Sequence, residues 1–321
     1  MLSRRENLFF LPLLLCALLF AGSCHSPEQI LLDKPRIAAG AVIQDVTFHS
    51  AALGREMPYR VFLPAQIPAG QKLPVVYLLH GNGGGFRNWS DYSDVSRYAA
   101  QGLILVMAEG NSSYFMNAVE KPRDKYEDYL TQDLIGDVES RFPAKPGRAN
   151  RAIAGVSMGG FAAVTLALRH PDMFVFAGAI SPAIDVPERR FTWKRASRWW
   201  EFRSIFGPWG GAERDARDPF VLLRSAKPES TPYIYLTAGE QEPLREPIQR
   251  FAARLQARGF AYEFHTRPGG HDWAEWDEQI PGCFAKLFAV LGSGQPAAEP
   301  PVTERLFQLP SGAEHHRSPA A

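Results

Sequence analysis

The chain has 321 residues, of which 45% are hydrophobic and 21% charged, and its formal net charge is +1. That length suits one large α/β domain, and the composition excludes a fibre or a wholly disordered chain. The charge balance leaves no basic footprint of the kind that nucleic acid demands, so no nucleic-acid partner is expected.

The N-terminus reads as an export signal. Arg4 and Arg5 precede an apolar run from Leu8 to Phe20, and the small residues Ala21-Gly22-Ser23 follow. The run is short for a membrane span and ends in a cleavage-like site. Phe20-Ala21-Gly22-Ser23-Cys24 is similar to a bacterial lipobox, with Ala21 where leucine is usual. On that reading Cys24 becomes a lipidated N-terminus, and the acyl chains hold the protein to a membrane without spanning it. Cutting by ordinary signal peptidase, with secretion, is the other reading. Cys16 falls within the signal, leaving only Cys24 and Cys283 afterwards, too few for a disulfide framework or a thiolate metal site.

Residues 1–23 are therefore read as a signal peptide, 24–39 as a tether, 40–291 as the folded domain and 292–321 as a disordered tail rich in Pro, Ala, Ser and Gly. Within the domain, Val42 to Phe48 and Met57 to Leu63 read as a hairpin. Leu73 to Leu79 and Gly102 to Met107 are continuous apolar runs, the mark of strands buried on both faces, with a helical segment from Tyr92 to Ala100 between them. An amphipathic helix over Tyr126 to Phe142 leads to a strand at Arg151 to Ala154. Phe174 to Ile180 and Pro232 to Thr237 are further buried strands; Pro247 to Arg258 is helical, Ala261 to Thr266 is the last strand and Trp273 to Leu291 the closing helix. Strands alternating with helices predict a mostly parallel central sheet with helices on both faces. Residues 187–224 interrupt the rhythm with Phe191, Trp193, Trp199, Trp200, Phe202, Phe206 and Trp209. They form either an insertion packing its own aromatics or a wall over a site.

Ala154-Gly155-Val156-Ser157-Met158-Gly159-Gly160 holds Gly-x-Ser-x-Gly between a strand and a helix-forming run that Pro171 ends. The glycines allow a sharp turn that lifts a serine hydroxyl above a sheet, with the positive end of a helix behind it. A serine needs a base, and the base an orienting acid. His271, in Pro268-Gly269-Gly270-His271-Asp272-Trp273, sits between the last strand and the last helix, where such a base belongs. His265 lies mid-strand, His170 ends a helix, and His315-His316 make a poor metal site in the tail. Glu240 and Glu242 share the loop after Leu236-Thr237, and either carboxylate could accept the imidazole N–H. Asp272 reads as a helix N-cap.

A developing oxyanion needs preorganised N–H donors. Met158, at the helix start, offers one, and the loop His80-Gly81-Asn82-Gly83-Gly84-Gly85 offers another. Read as a phosphate loop, that stretch lacks the lysine and the spacing. His80 reads as an anchor of the loop.

Tyr77-Leu78-Leu79-His80-Gly81, Gly155-Val156-Ser157-Met158-Gly159-Gly160 and Gly269-Gly270-His271-Asp272-Trp273 with Trp276 together resemble the esterase D family of α/β hydrolases. That family includes feruloyl and acetyl esterases, tributyrin esterases, S-formylglutathione hydrolases and mycolyltransferases. The resemblance covers residues 40 to 291 in order. It implies the α/β-hydrolase fold, Ser157 as nucleophile, His271 as base, and the Asn82 and Met158 N–H groups as oxyanion hole. Its spacing selects Glu242 ahead of Glu240 as the acid, where the family often has aspartate and the mycolyltransferases glutamate. Gly110-Asn111-Ser112-Ser113-Tyr114 resembles the family segment near the acyl pocket.

The expectation is an exported serine carboxylesterase in the periplasm or cell envelope. It would work through an acyl-enzyme on a small-molecule or glycan-linked ester, without metal or organic cofactor. Two other readings are an acyltransferase passing the acyl group to a glycan or lipid hydroxyl, and an envelope binding module that kept the fold but lost the chemistry.

Overall fold

The computed structural model describes residues 33–190 and 196–293. Its centre is an eight-stranded sheet of β1 (Ala41–Ser50), β2 (Arg55–Pro64), β3 (Val75–Leu79), β4 (Ile104–Ala108), β5 (Arg151–Val156), β6 (Phe176–Ile180), β7 (Tyr233–Gly239) and β8 (Tyr262–Arg267). The spatial order is β1-β2-β4-β3-β5-β6-β7-β8. β1 and β2 pair antiparallel, as do β2 and β4, and every later pair is parallel. This is the α/β-hydrolase architecture expected from the sequence.

The apolar runs explain the layering. In β3, Val75, Tyr77 and Leu79 face one core, while Val76 and Leu78 face another across the sheet, as the two-residue period of a strand requires. Both sides are therefore covered by helices drawn from α1 (Asn88–Tyr92), α2 (Ser96–Ala99), α3 (Tyr126–Asp128), α4 (Ile135–Arg141), α5 (Met158–Arg169), α6 (Ala196–Phe206), α7 (Ala212–Asp215), α8 (Pro219–Ser225), α9 (Arg245–Ala257) and α10 (Trp273–Ser293). Between α3 and α4 the expected amphipathic helix widens into a π-helical turn at Tyr129–Leu134. α1, α2 and α10 cover one face through Trp89, Tyr98, Trp276 and Phe284. α5 and α9 cover the other through Phe161, Val164, Ile248 and Phe251. Each such fully buried side chain contributes on the order of 1.5–3 kcal/mol.

Register decides where the loops emerge. Leu79 pairs with both Ala108 and Gly155, Val156 with Ile180, Ile180 with Thr237 and Gly239 with Arg267. The loops after β3, β4, β5, β6, β7 and β8 thus leave from one edge, beyond the carboxyl ends of parallel strands, where open α/β sheets hold their ligands.

The folded unit begins earlier than residue 40. From Lys34 the chain belongs to the compact unit. The Arg36 N–H donates to Ser90 O at 2.8 Å and its guanidinium to Asp277 Oδ2 at 3.1 Å. The Ala38 N–H donates to Ser96 Oγ at 2.9 Å. Residues 34–39 of the expected tether are thus docked against α1, α2 and α10. The signal segment, Cys24, Phe191, Trp193 and the tail from 294 lie outside the described residues.

Candidate active site

β5 ends at Val156 and α5 begins at Met158, so one residue carries the whole reversal. Ser157 has φ 53° and ψ −110°, a conformation that L side chains avoid and that costs on the order of 1–3 kcal/mol. Backbone bonds hold it there: its N–H donates to Ile180 O at 2.9 Å, and its C=O accepts the Phe161 and Ala183 N–H groups at 3.0 Å each. The flanking glycines are required by contact. A Cβ on Gly155 would lie 2.3 Å from the Gly159 carbonyl carbon, and one on Gly159 only 2.2 Å from Leu79 O.

The loops after β7 and β8 are brought together by a second close approach. A Cβ on Gly239 would meet Gly269 O at 2.5 Å and Gly270 O at 2.6 Å. Gln241 N–H donates to Gly269 O at 3.0 Å, and the Gln241 side-chain carbonyl accepts the Gly269 N–H. His271 consequently hangs over Ser157, with Nε2 2.9 Å from Oγ. Its Nδ1 lies 2.8 Å from Glu242 Oε2, and the other Glu242 oxygen accepts the Gly239 N–H at 3.2 Å. The Glu242 side chain is wholly buried, whereas that of His271 keeps 29% exposure.

These contacts fix the tautomer. An ionised carboxylate only accepts, so Nδ1 carries the proton and Nε2 presents its lone pair to the serine hydroxyl. The Trp276 ring meets the imidazole edge-on, with centroids 5.0 Å apart. Of the two sequence candidates for the acid, only Glu242 reaches the ring; Glu240 is exposed, with its amide bonded to Arg267 O. Asp272 Oδ1 accepts the Glu275 N–H at 3.1 Å, as the cap of α10.

Gly81 lies against the serine: a Cβ there would be 3.6 Å from Ser157 Cβ. The N–H groups of Asn82 and Met158 take no hydrogen-bond partner among the described residues. These two donors belong to the residues that follow Gly81 and Ser157, and free N–H groups at a loop and a helix start are groups that can hold an oxyanion. His80 is buried beneath this loop, with Nδ1 2.8 Å from Gly81 O and Nε2 accepting the Gly110 N–H at 3.0 Å. It is far from free to serve as a base.

Sequence reasoning missed Glu109, which follows β4 and fastens the same loop. Burial alone would raise its carboxyl, but the His80 ring and the Asn111 and Phe86 N–H groups facing its oxygens take it below the usual range. The only sequence signal was a carboxylate directly after a buried apolar strand. The segment behind it is strained: Asn111, Tyr114 and Phe115 have φ of 46°, 56° and 53°.

His170 and His265 lie elsewhere. His170 Nε2 meets buried Glu127 at 2.7 Å, and exposed His265 meets Glu263 at 2.9 Å. Among the described residues no three His, Cys, Asp or Glu side chains converge as they would around a metal ion.

Residues 50–287 match the model of the Esterase family, described as "Putative esterase". The acetyl esterase of Caldicellulosiruptor saccharolyticus is 24% identical over 77% of this chain and 98% of its own length. The endo-1,4-beta-xylanase/feruloyl esterase of Xylanibacter ruminicola is 27% identical over 77% of this chain, a match spanning only 31% of that longer protein. Among solved structures, the substrate-bound fluorophosphonate-binding serine hydrolase F of Staphylococcus aureus superposes with a TM-score of 0.67. The identity is 25%, over 78% of this chain and 98% of the other.

Proposed function

We propose that this chain, which belongs to the Esterase family and is a hydrolase of carboxylic esters, works through an acyl-enzyme on Ser157. The observation that carries the reading is the unbroken line from Glu242 Oε2 to His271 Nδ1 at 2.8 Å and from His271 Nε2 to Ser157 Oγ at 2.9 Å. Nucleophile, base and orienting acid are in hydrogen-bond reach of one another.

In the first half-reaction Oγ attacks the ester carbonyl and its proton passes to Nε2. The carbonyl oxygen becomes an oxyanion held by the Asn82 and Met158 N–H groups, each worth about 3 kcal/mol in the transition state. Glu242 keeps the imidazolium oriented and balances its charge. Collapse breaks the bond to the alkoxy oxygen, which leaves with the proton from Nε2. Water then enters, gives its proton to Nε2 and attacks the acyl carbonyl. The acid departs, and the proton returns to Oγ.

The relatives' names support a substrate class. An acetyl or feruloyl ester of a glycan, or a small-molecule ester of similar acyl group, fits best. The export signal and Cys24 support an envelope location with a lipid anchor, a reading that rests on the sequence. A fluorophosphonate probe tests the chemistry: wild type should be labelled and Ser157→Ala should not. Folded wild type that resists the probe would sink the acyl-enzyme. Palmitate-analogue labelling tests the anchor, with Cys24→Ala as control; an unlabelled wild type produced in a bacterial host would refute it.

A further inference from the structure

Glu109 spans the gap between two loops. Oε2 accepts the Phe86 N–H at 3.1 Å, across to the loop that follows β3. Oε1 accepts the Gly110 N–H at 3.0 Å and the Asn111 N–H at 2.8 Å, at the start of the strained segment after β4. Oε1 also lies 3.5 Å from His80 Nε2, and the Gly110 N–H is shared between that nitrogen and the carboxylate. Only 15% of the Glu109 side chain is exposed.

The His80 ring leads from this carboxylate to the site. A carbonyl can only accept, so His80 Nδ1 carries a proton and donates it to Gly81 O. Gly84 N–H donates to the same carbonyl at 3.1 Å. That C=O belongs to the peptide unit whose other end is the Asn82 N–H. A peptide unit is planar, so two donors on its oxygen fix where its N–H points. Donation to the oxygen also polarises the unit and strengthens the N–H as a donor.

We infer that Glu109 is a positioning residue, whose carboxylate clasps the loop after β3 to the end of β4 and so holds the Asn82 N–H on the developing oxyanion. The inference rests on the acyl-enzyme reading given above. It assigns Glu109 no contact with substrate. Its effect falls on the transition state, because an oxyanion hole binds the tetrahedral adduct more strongly than the ground-state carbonyl.

The test uses the full-length chain with a chromogenic acetyl ester and a trifluoromethyl ketone, which forms a tetrahedral adduct. Glu109→Gln matches the carboxylate in size but turns an amide NH2 toward backbone donors. Its kcat should fall about tenfold or more, KM should stay within about twofold, and affinity for the ketone should fall by the same factor as kcat. Glu109→Asp keeps the charge and should retain more kcat than Glu109→Gln, the reverse of what packing alone predicts. Gly85→Ala supplies an independent handle, since its Cβ would come 2.9 Å from Glu109 Oε2 and push the carboxylate off Phe86. It should lower kcat several-fold in a protein that still unfolds cooperatively. Wild-type kcat and ketone affinity in Glu109→Gln, or Gln performing better than Asp, would overturn the inference. Should Glu109→Gln fail to fold, wild-type kcat in Gly85→Ala overturns it alone. A wild type inert to fluorophosphonate would instead strike the acyl-enzyme reading, so the two failures are distinguishable.

Discussion

Gly159→Ala sets two effects of known sign against each other. Alanine exceeds glycine in helix propensity, which by itself would stabilise α5 by about 1 kcal/mol. Against this, the new Cβ would lie 2.2 Å from Leu79 O and 2.6 Å from Leu79 C, where real contacts begin near 3.0 Å. Strand and helix must therefore part by about 0.8 Å, a figure set by those two distances. The strand side is poorly able to yield. Leu79 pairs with Ala108 and Gly155 on either side, and its carbonyl accepts the Trp89 indole N–H at 3.0 Å. The helix moves instead and takes Ser157 with it. Displacement of that size along the 2.9 Å bond from Oγ to His271 would break it. Turnover should fall about 100-fold. Stability should fall by about 1–3 kcal/mol, or roughly 3–10 °C in Tm for a domain of this size. Ester hydrolysis and thermal unfolding of the purified protein read both quantities. A cooperatively folded Gly159→Ala with turnover within about threefold of wild type would refute the argument that contact, rather than helix geometry alone, dictates this glycine.

The two loop glutamates should separate cleanly: Glu242→Gln presents an amide to Nδ1, favours the wrong tautomer and should cost about 10³–10⁴ in kcat, whereas exposed Glu240→Gln should leave kcat nearly unchanged. Equal losses in ester turnover would contradict the geometry. Asp218 caps α8 by accepting the Phe220 N–H at 2.8 Å, and burial pushes its carboxyl up to about 6 from 3.8. A raised folded value means that its favourable contribution is complete below the unfolded value and disappears as pH rises through about 6. Asp218→Asn keeps a good cap and should gain up to about 3 kcal/mol at pH 8 and almost nothing at pH 4; a gain independent of pH in urea titrations would disprove the burial cost. Cys283 is a free thiol packed in the core, with burial raising it far above the usual thiol range. It should react with a thiol reagent only after denaturant is added, and prompt reaction in the native state would contradict its placement.

The elements legible in the sequence were those with a local physical signature. Continuous apolar runs such as Val75 to Leu79 and Ile104 to Ala108 announced strands buried on both faces, and Gly155 with Gly159 announced a turn too tight for a Cβ. What stayed open depended on geometry across the chain. Glu240 and Glu242 are two residues apart on one turn, closed by the Glu242 N–H on Gly239 O at 3.4 Å, and only the folded turn shows which carboxylate enters the protein. Glu109 carries no spacing rule, because its partners are backbone N–H groups that any sequence possesses. The docking of residues 34–39 was hidden for a similar reason: it rests on backbone N–H and C=O groups and on the Arg36 guanidinium, and no apolar pattern marks it.

The aromatic insertion shows how one segment can answer to two descriptions. Phe202, Ile205 and Phe206 on α6 are buried in the same core as Phe161, four residues after the candidate nucleophile. Tyr114 meets Phe161, Phe202 and Phe206 edge-on at centroid distances between 5.5 and 5.7 Å, and Phe161 meets Phe206 at 5.7 Å. Aromatic pairs of this kind add about 0.5–1.5 kcal/mol each beyond burial. This half of α6 is therefore core, and through Phe161 it braces the helix whose first turn presents the Met158 N–H. The opposite side of α6 behaves differently: Trp200 is 64% exposed, and so is 53% of Trp209 in the turn that follows. Phe202, Ile205 and Phe206 lie about 120° to 160° from Trp200 around the helix, so the face that they bury is not the one that carries Trp200. Core packing accounts for the phenylalanines, whereas Trp200 meets the Trp199 ring edge-on and the Arg190 guanidinium lies over Trp209, both at the surface. Substituting Phe206 should thus disturb stability and turnover together, whereas Trp200 can be changed with the fold intact.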